Sequence, residues 1–182
     1  MEKRHNYAAA GFLLLGIGAA GRAFLGVPEG VTMAELSLTV LLVIGALLLT
    51  RQGLAALVCG LAATALELVL CGSWVQAGAA LAAAAPFLRL ADLWLLLGLV
   101  WGSLPARRAV DDLKYTRSTR MMLVACGVLL AAHTVLRIAS LAAPASVPLG
   151  KASSGSFVVF SVLLLWYTVL MVKAYNVQRT KH

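Results

Sequence analysis

The sequence predicts an all-α polytopic membrane protein: six transmembrane helices, with an extra short helix before the fourth, in one domain covering residues 1–182. Three observations carry that prediction. Of the residues, 62% are hydrophobic and 12% charged, whereas a soluble domain keeps roughly 25% charged to wet its surface. Six apolar runs have close to the 20 or so residues that a helix needs to cross about 30 Å of hydrocarbon. Finally, the basic residues between those runs alternate in density from one link to the next, as orientation in a bilayer requires.

The first span covers residues 7–27 and ends on the turn signal Val27-Pro28-Glu29-Gly30. The alternative of a cleaved secretory signal, with small residues at Gly18-Ala19-Ala20, sits poorly with an apolar run that continues to Val27. The second span, 34–50, is slightly short but uncharged after Glu35; the tight link Arg51-Gln52-Gly53 leads into the third, 54–71. Gly72-Ser73 then interrupts the chain before the apolar stretch 74–104. As one straight helix that stretch would be about 46 Å long, more than a bilayer core requires and too little for two spans and a turn. Pro86 removes a backbone donor in its middle. The fourth span is therefore placed at 86–104, with 74–85 an interfacial or partly inserted helix, or a kinked extension of the span. The fifth and sixth spans follow at 119–142 and 156–175.

Charge tests this count independently. Of the 15 Lys and Arg, Arg22, Arg89 and Arg137 fall well inside spans, and every other one except Lys151 falls in a link or at a span end on the side of the N-terminus. Basic residues concentrate on the cytoplasmic side, so both termini are expected there, in a plasma membrane of bacterial type. The net charge of +8 thus records topology and not a nucleic-acid surface. The loop 105–118, with Arg107, Arg108, Asp111, Asp112 and Lys114, reads as a solvated topogenic link, or as a short surface helix against anionic lipid.

Ionisable residues inside a span cost at least about 2.5 kcal/mol each near the bilayer centre, so each asks for a reason. Arg22, Glu35, Glu67, Arg89, Asp92, His133 and Arg137 all map to the outer third of the first five spans. Arg89 and Asp92 stand at i, i+3, and His133 and Arg137 at i, i+4, spacings that share a helix face; Ser140 lies a turn beyond and Cys126 two turns before His133. Two readings stay open. In one, Arg22, Glu67, Arg89, Asp92, His133 and Arg137 line an outward-facing polar cavity. Its guanidiniums would suit a small carboxylate or phosphate, and its His would respond to external pH. In the other, the arginines snorkel to headgroups, Arg22 pairs with Glu35 across two spans, and Arg89 pairs with Asp92.

No nucleotide loop, nucleic-acid motif or G-x-S-x-G context is present, and the three cysteines, Cys59, Cys71 and Cys126, have no metal-ligand or redox spacing. No cofactor, metal or catalysis is expected. Small residues at Gly16 and Ala20, and at Ala19 and Ala23, allow close helix approach in the first span, either within the protein or against a partner membrane subunit. In length and span count the chain is similar to the substrate-binding membrane subunits of vitamin-uptake transporters energised by a separate ATPase, and that likeness implies a docking face on the first span. The functions expected are binding or transport of a small anionic or polar molecule or, alternatively, service as a non-catalytic membrane component such as an assembly factor, sensor or partner subunit.

Overall fold

The computed structural model describes residues 2–26, 31–49, 54–71, 79–103 and 113–180. Their regular structure is all helical: α1 (Glu2–Leu25), α2 (Met33–Leu48), α3 (Leu54–Cys71), α4 (Ala79–Gly102), α5 (Leu113–Ala142) and α6 (Val147–Thr180). The turn at 27–30, the link 51–53, residues 72–78 and most of the loop 105–118 lie outside the described residues. Among the described residues, five helices are long and apolar enough to cross a membrane, and α2 is a shorter apolar helix. The expectation of a helical, multi-pass membrane protein is borne out.

Local chemistry sets the helix ends. Thr32 caps α2: its Oγ1 accepts from the Glu35 amide at 3.2 Å, while Glu35 Oε2 accepts from the Thr32 amide at 2.9 Å. This reciprocal box satisfies two donors that would otherwise be orphaned. Pro148 stands in the first turn of α6, where a missing N–H costs nothing. Pro86 lies inside α4, which runs continuously from Ala79. Residues 79–85 are therefore an extension of the fourth span. Hydroxyls inside the helices bond back to carbonyls four residues earlier, as Thr64 does to Gly60, Thr134 to Leu130 and Thr168 to Leu164. Apolar surroundings demand such internal satisfaction.

Successive helices run antiparallel and close into a ring, with α6 packed on α1. Glycines fix the closest approaches. Gly11 and Gly45 bring α1 and α2 together, so that a Cβ on Gly45 would stand 3.0 Å from the Gly11 carbonyl. Gly102 lets α4 rest on α3 at Ala56. Gly16 faces α6 at Met171 and Thr168, which is the internal use of the small residues in the first span. The thinnest seam lies between α4 and α5, where the Trp94 indole donates to Thr134 Oγ1 at 3.2 Å.

Burial is inverted relative to a soluble protein. Trp166, Val158, Val162 and Val169 of α6 face outward with Phe24 and Leu54, while Glu35, Glu67 and Asp92 are wholly buried. An apolar exterior of this extent needs lipid to cover it. Inside, Phe12, Leu15, Leu42, Leu99, Leu123 and Met171 belong to one apolar core. Below it, near the end that holds both termini, the Tyr167 and Ser103 hydroxyls meet at 2.8 Å.

Candidate functional site: a buried five-residue charge cluster

The cluster forms one layer at the end of the ring away from the chain termini. Arg22 stands in the last turn of α1 and Glu35 in the first turn of α2. Glu67 lies about one turn before the end of α3, and Arg89 and Asp92 sit one turn apart on α4. Alternating helix direction brings these positions to one depth. All five are at most 5% exposed.

Arg22 is the hub. Its Nη1 lies 2.8 Å from Glu67 Oε1 and 3.5 Å from Glu35 Oε1, and its Nη2 donates to Asp92 Oδ2 at 3.3 Å. Arg89 forms the second fork: Nη2 donates to Glu35 Oε1 at 2.6 Å and Nη1 to Asp92 Oδ2 at 2.7 Å. Such short, charge-assisted bonds are the strong ones. Thr39, one turn after Glu35 on α2, donates to Glu67 Oε1 at 3.0 Å. Four helices are thus tied by two guanidiniums and three carboxylates. Glu35 serves twice, with one oxygen capping α2 and the other on Arg89.

Four of the six candidate positions, Arg22, Glu67, Arg89 and Asp92, meet in this cluster; His133 and Arg137 do not enter it. His133 is buried in the same layer but turned toward α6, where its Nδ1 lies 3.0 Å from the Ser153 carbonyl and 3.1 Å from Ser156 Oγ. A carbonyl only accepts, so Nδ1 carries the proton. Ser156 Oγ donates to that carbonyl at 2.7 Å, so its proton is already committed and not offered to the imidazole. Phe157 packs against the ring. Arg137 is half-buried a turn beyond. Cys126 is buried in the core, and among the described residues no group of His, Cys, Asp and Glu is arranged to hold a metal ion.

Sequence reasoning left two members out of the site. Glu35 reads in the sequence as a partner of Arg22 outside the cavity, a pair the structure contains at 3.5 Å, whereas its shorter bond to Arg89 has no sequence signal. Thr39 carries no signal except its place one turn after Glu35. Ser161 of α6 lines a cavity, and Trp166 faces outward.

That cavity, about 30 Å³, lies between α1, α2, α4 and α6. Arg22 and Arg89 line it at the cluster level, and Leu93, Leu96, Leu97 and Val100 continue its wall along α4. It has room for roughly two waters. α1 and α4 face each other across it and are joined through Arg22 and Asp92. No family model, curated protein or solved structure matches the chain.

Proposed function

We propose that this protein binds a small polar molecule or ion within the membrane and passes it along the cavity that the charge cluster closes. The observation that carries this reading is the convergence of five ionisable side chains from four helices in one buried layer, two of which, Arg22 and Arg89, line the end of a cavity. Packing alone does not call for such a group, since apolar residues of similar volume often hold a core at least as well as a buried ion pair. Intramembrane charges more commonly mark a solute or ion path. A small anion would meet guanidiniums already engaged by three carboxylates, and a cation would meet only Arg22 and Arg89 on the cavity wall, so an uncharged polar solute fits this closed arrangement better. The cluster then acts as a latch, and passage requires Arg22 and Asp92 to part.

The second reading, a non-catalytic membrane component held together by its charges, draws support from the same distances, because each guanidinium already contacts at least two carboxylates. Cysteine accessibility separates the two. In a background with Cys59, Cys71 and Cys126 replaced by Ala, Ser161→Cys places a thiol on the cavity wall, and Lys151→Cys provides an exposed control. The solute-path reading expects a membrane-impermeant maleimide to label Ser161→Cys in intact vesicles, more slowly than the control. Complete protection of Ser161→Cys under all solute conditions would leave the component reading in its place.

A further inference from the structure

We propose that the cluster binds a single exchangeable proton, shared between the carboxyl groups of Glu67 and Asp92. Three carboxylates and two guanidiniums leave one negative charge in excess, fully buried, and one proton makes the cluster neutral. A lone buried charge is far costlier than a neutral group.

The geometry says where the proton belongs. Glu67 Oε1 and Asp92 Oδ2 both approach the guanidinium of Arg22, at 2.8 and 3.3 Å, which makes the two carboxyls neighbours across one guanidinium. Each has one engaged oxygen: Oε1 of Glu67 accepts from Thr39 and is ion-paired with Arg22, and Oδ2 of Asp92 accepts from both Arg22 and Arg89. The other oxygen of each, Glu67 Oε2 and Asp92 Oδ1, is buried with no hydrogen-bond donor among the described residues. Ionised carboxylates only accept, so two adjacent ones cannot satisfy each other. Protonation turns one into a donor. Glu35 is a poorer host, because its Oε2 already accepts from the Thr32 amide and its Oε1 from Arg89.

The groups facing the pair are Arg22 of α1, Glu35 and Thr39 of α2, and Arg89 of α4 itself. On α5, His133 is buried and Arg137 half-buried one turn farther on. The facing stretch of α6 brings the hydroxyls of Ser153 and Ser156, with Lys151 exposed. The proton comes from water and returns to it; no bond other than O–H forms or breaks. This inference deepens the proposed solute path by naming a proton as an ion the latch holds. Release of the proton restores the excess charge and loosens the cluster.

Infrared difference spectroscopy tests the site directly, on protein in a detergent free of ester carbonyls. At neutral pH exposed carboxyls are ionised, so a protonated-carboxyl C=O stretch that shifts in D2O reports a buried acid. The wild-type protein is expected to show this band, and Glu67→Gln to lose it while keeping its fold. Uniform 13C labelling of glutamate in the wild-type chain, which needs no variant to fold, is expected to move the band. Absence of the band in folded wild-type protein, or a band that persists in both Glu67→Gln and Asp92→Asn, overturns the proposal. The two readings fail separately. The band with Ser161→Cys fully protected leaves the proton site standing without a solute path. Labelling without the band leaves the path without the proton.

Discussion

Glu35 shows how one side chain ties local structure to the site. Its Oε2 closes the capping box of α2, and its Oε1 receives Arg89 at 2.6 Å, so the start of the helix and the charge cluster stand or fall together. The two roles separate by substitution. Glutamine at this position keeps a side-chain oxygen for the Thr32 amide, since Gln closes a capping box as Glu does, but removes the charge that faces Arg89. Alanine removes both. Glu35→Gln is expected to lower stability by about 1.5–3 kcal/mol, the worth of a charge-assisted bond. Glu35→Ala is expected to cost a further 1 kcal/mol or so for the lost cap. Reversible unfolding in mixed micelles measures both. Equal losses for the two variants would show that the cap contributes nothing once the charge is gone.

At the scale of helices, close approach is set where side chains are absent. A Cβ on Gly102 would stand 2.6 Å from the Ala56 amide nitrogen and 2.8 Å from its Cα, and backbone atoms cannot swing aside. Gly102→Ala is therefore expected to prise α4 from α3 and to cost about 1–3 kcal/mol by overpacking. Gly155 on α6 has nothing within 4 Å. Gly155→Ala is expected to leave the unfolding midpoint unchanged or to raise it, since Ala favours helix over Gly by up to about 1 kcal/mol. The contrast in midpoints between the two variants is the measurement. Much at this scale was legible in the sequence: the apolar runs and the single span, not two, in the stretch that holds Pro86 follow from bilayer thickness and backbone chemistry. Less legible was the passage of α4 through Pro86, because a proline removes one hydrogen bond but does not forbid the helix when neighbours pack around it. Which glycine meets which helix was hidden as well, since a small residue permits contact without naming its partner.

For the molecule as a whole, the depth of the charges was readable and their rotation was not. Cost confines ionisable groups to one layer, and i, i+3 spacing pairs Arg89 with Asp92, so that four of the six candidate positions meet. Helices that are apolar on most sides carry little information about which face turns inward. His133 therefore joins Ser153 and Ser156 of α6 and not the cluster, though its depth matches. Orientation across the bilayer is where charge pattern and fold must agree. α6 carries Lys151 near its start and Lys173 and Arg179 toward its end, all exposed. With α6 traversing the membrane once, those ends emerge on opposite sides, and the basic-rich end is expected to be cytoplasmic. In the cysteine-free background, Lys151→Cys should react with an impermeant maleimide in intact cells, and Arg179→Cys only after permeabilisation. The reverse pattern would place the charge cluster at the cytoplasmic end, so that any proton or solute would meet the latch from inside. Labelling of both in intact cells would deny α6 its crossing, and the alternating ring, on which the common depth of Arg22, Glu35, Glu67 and Asp92 depends, would have no bilayer to span.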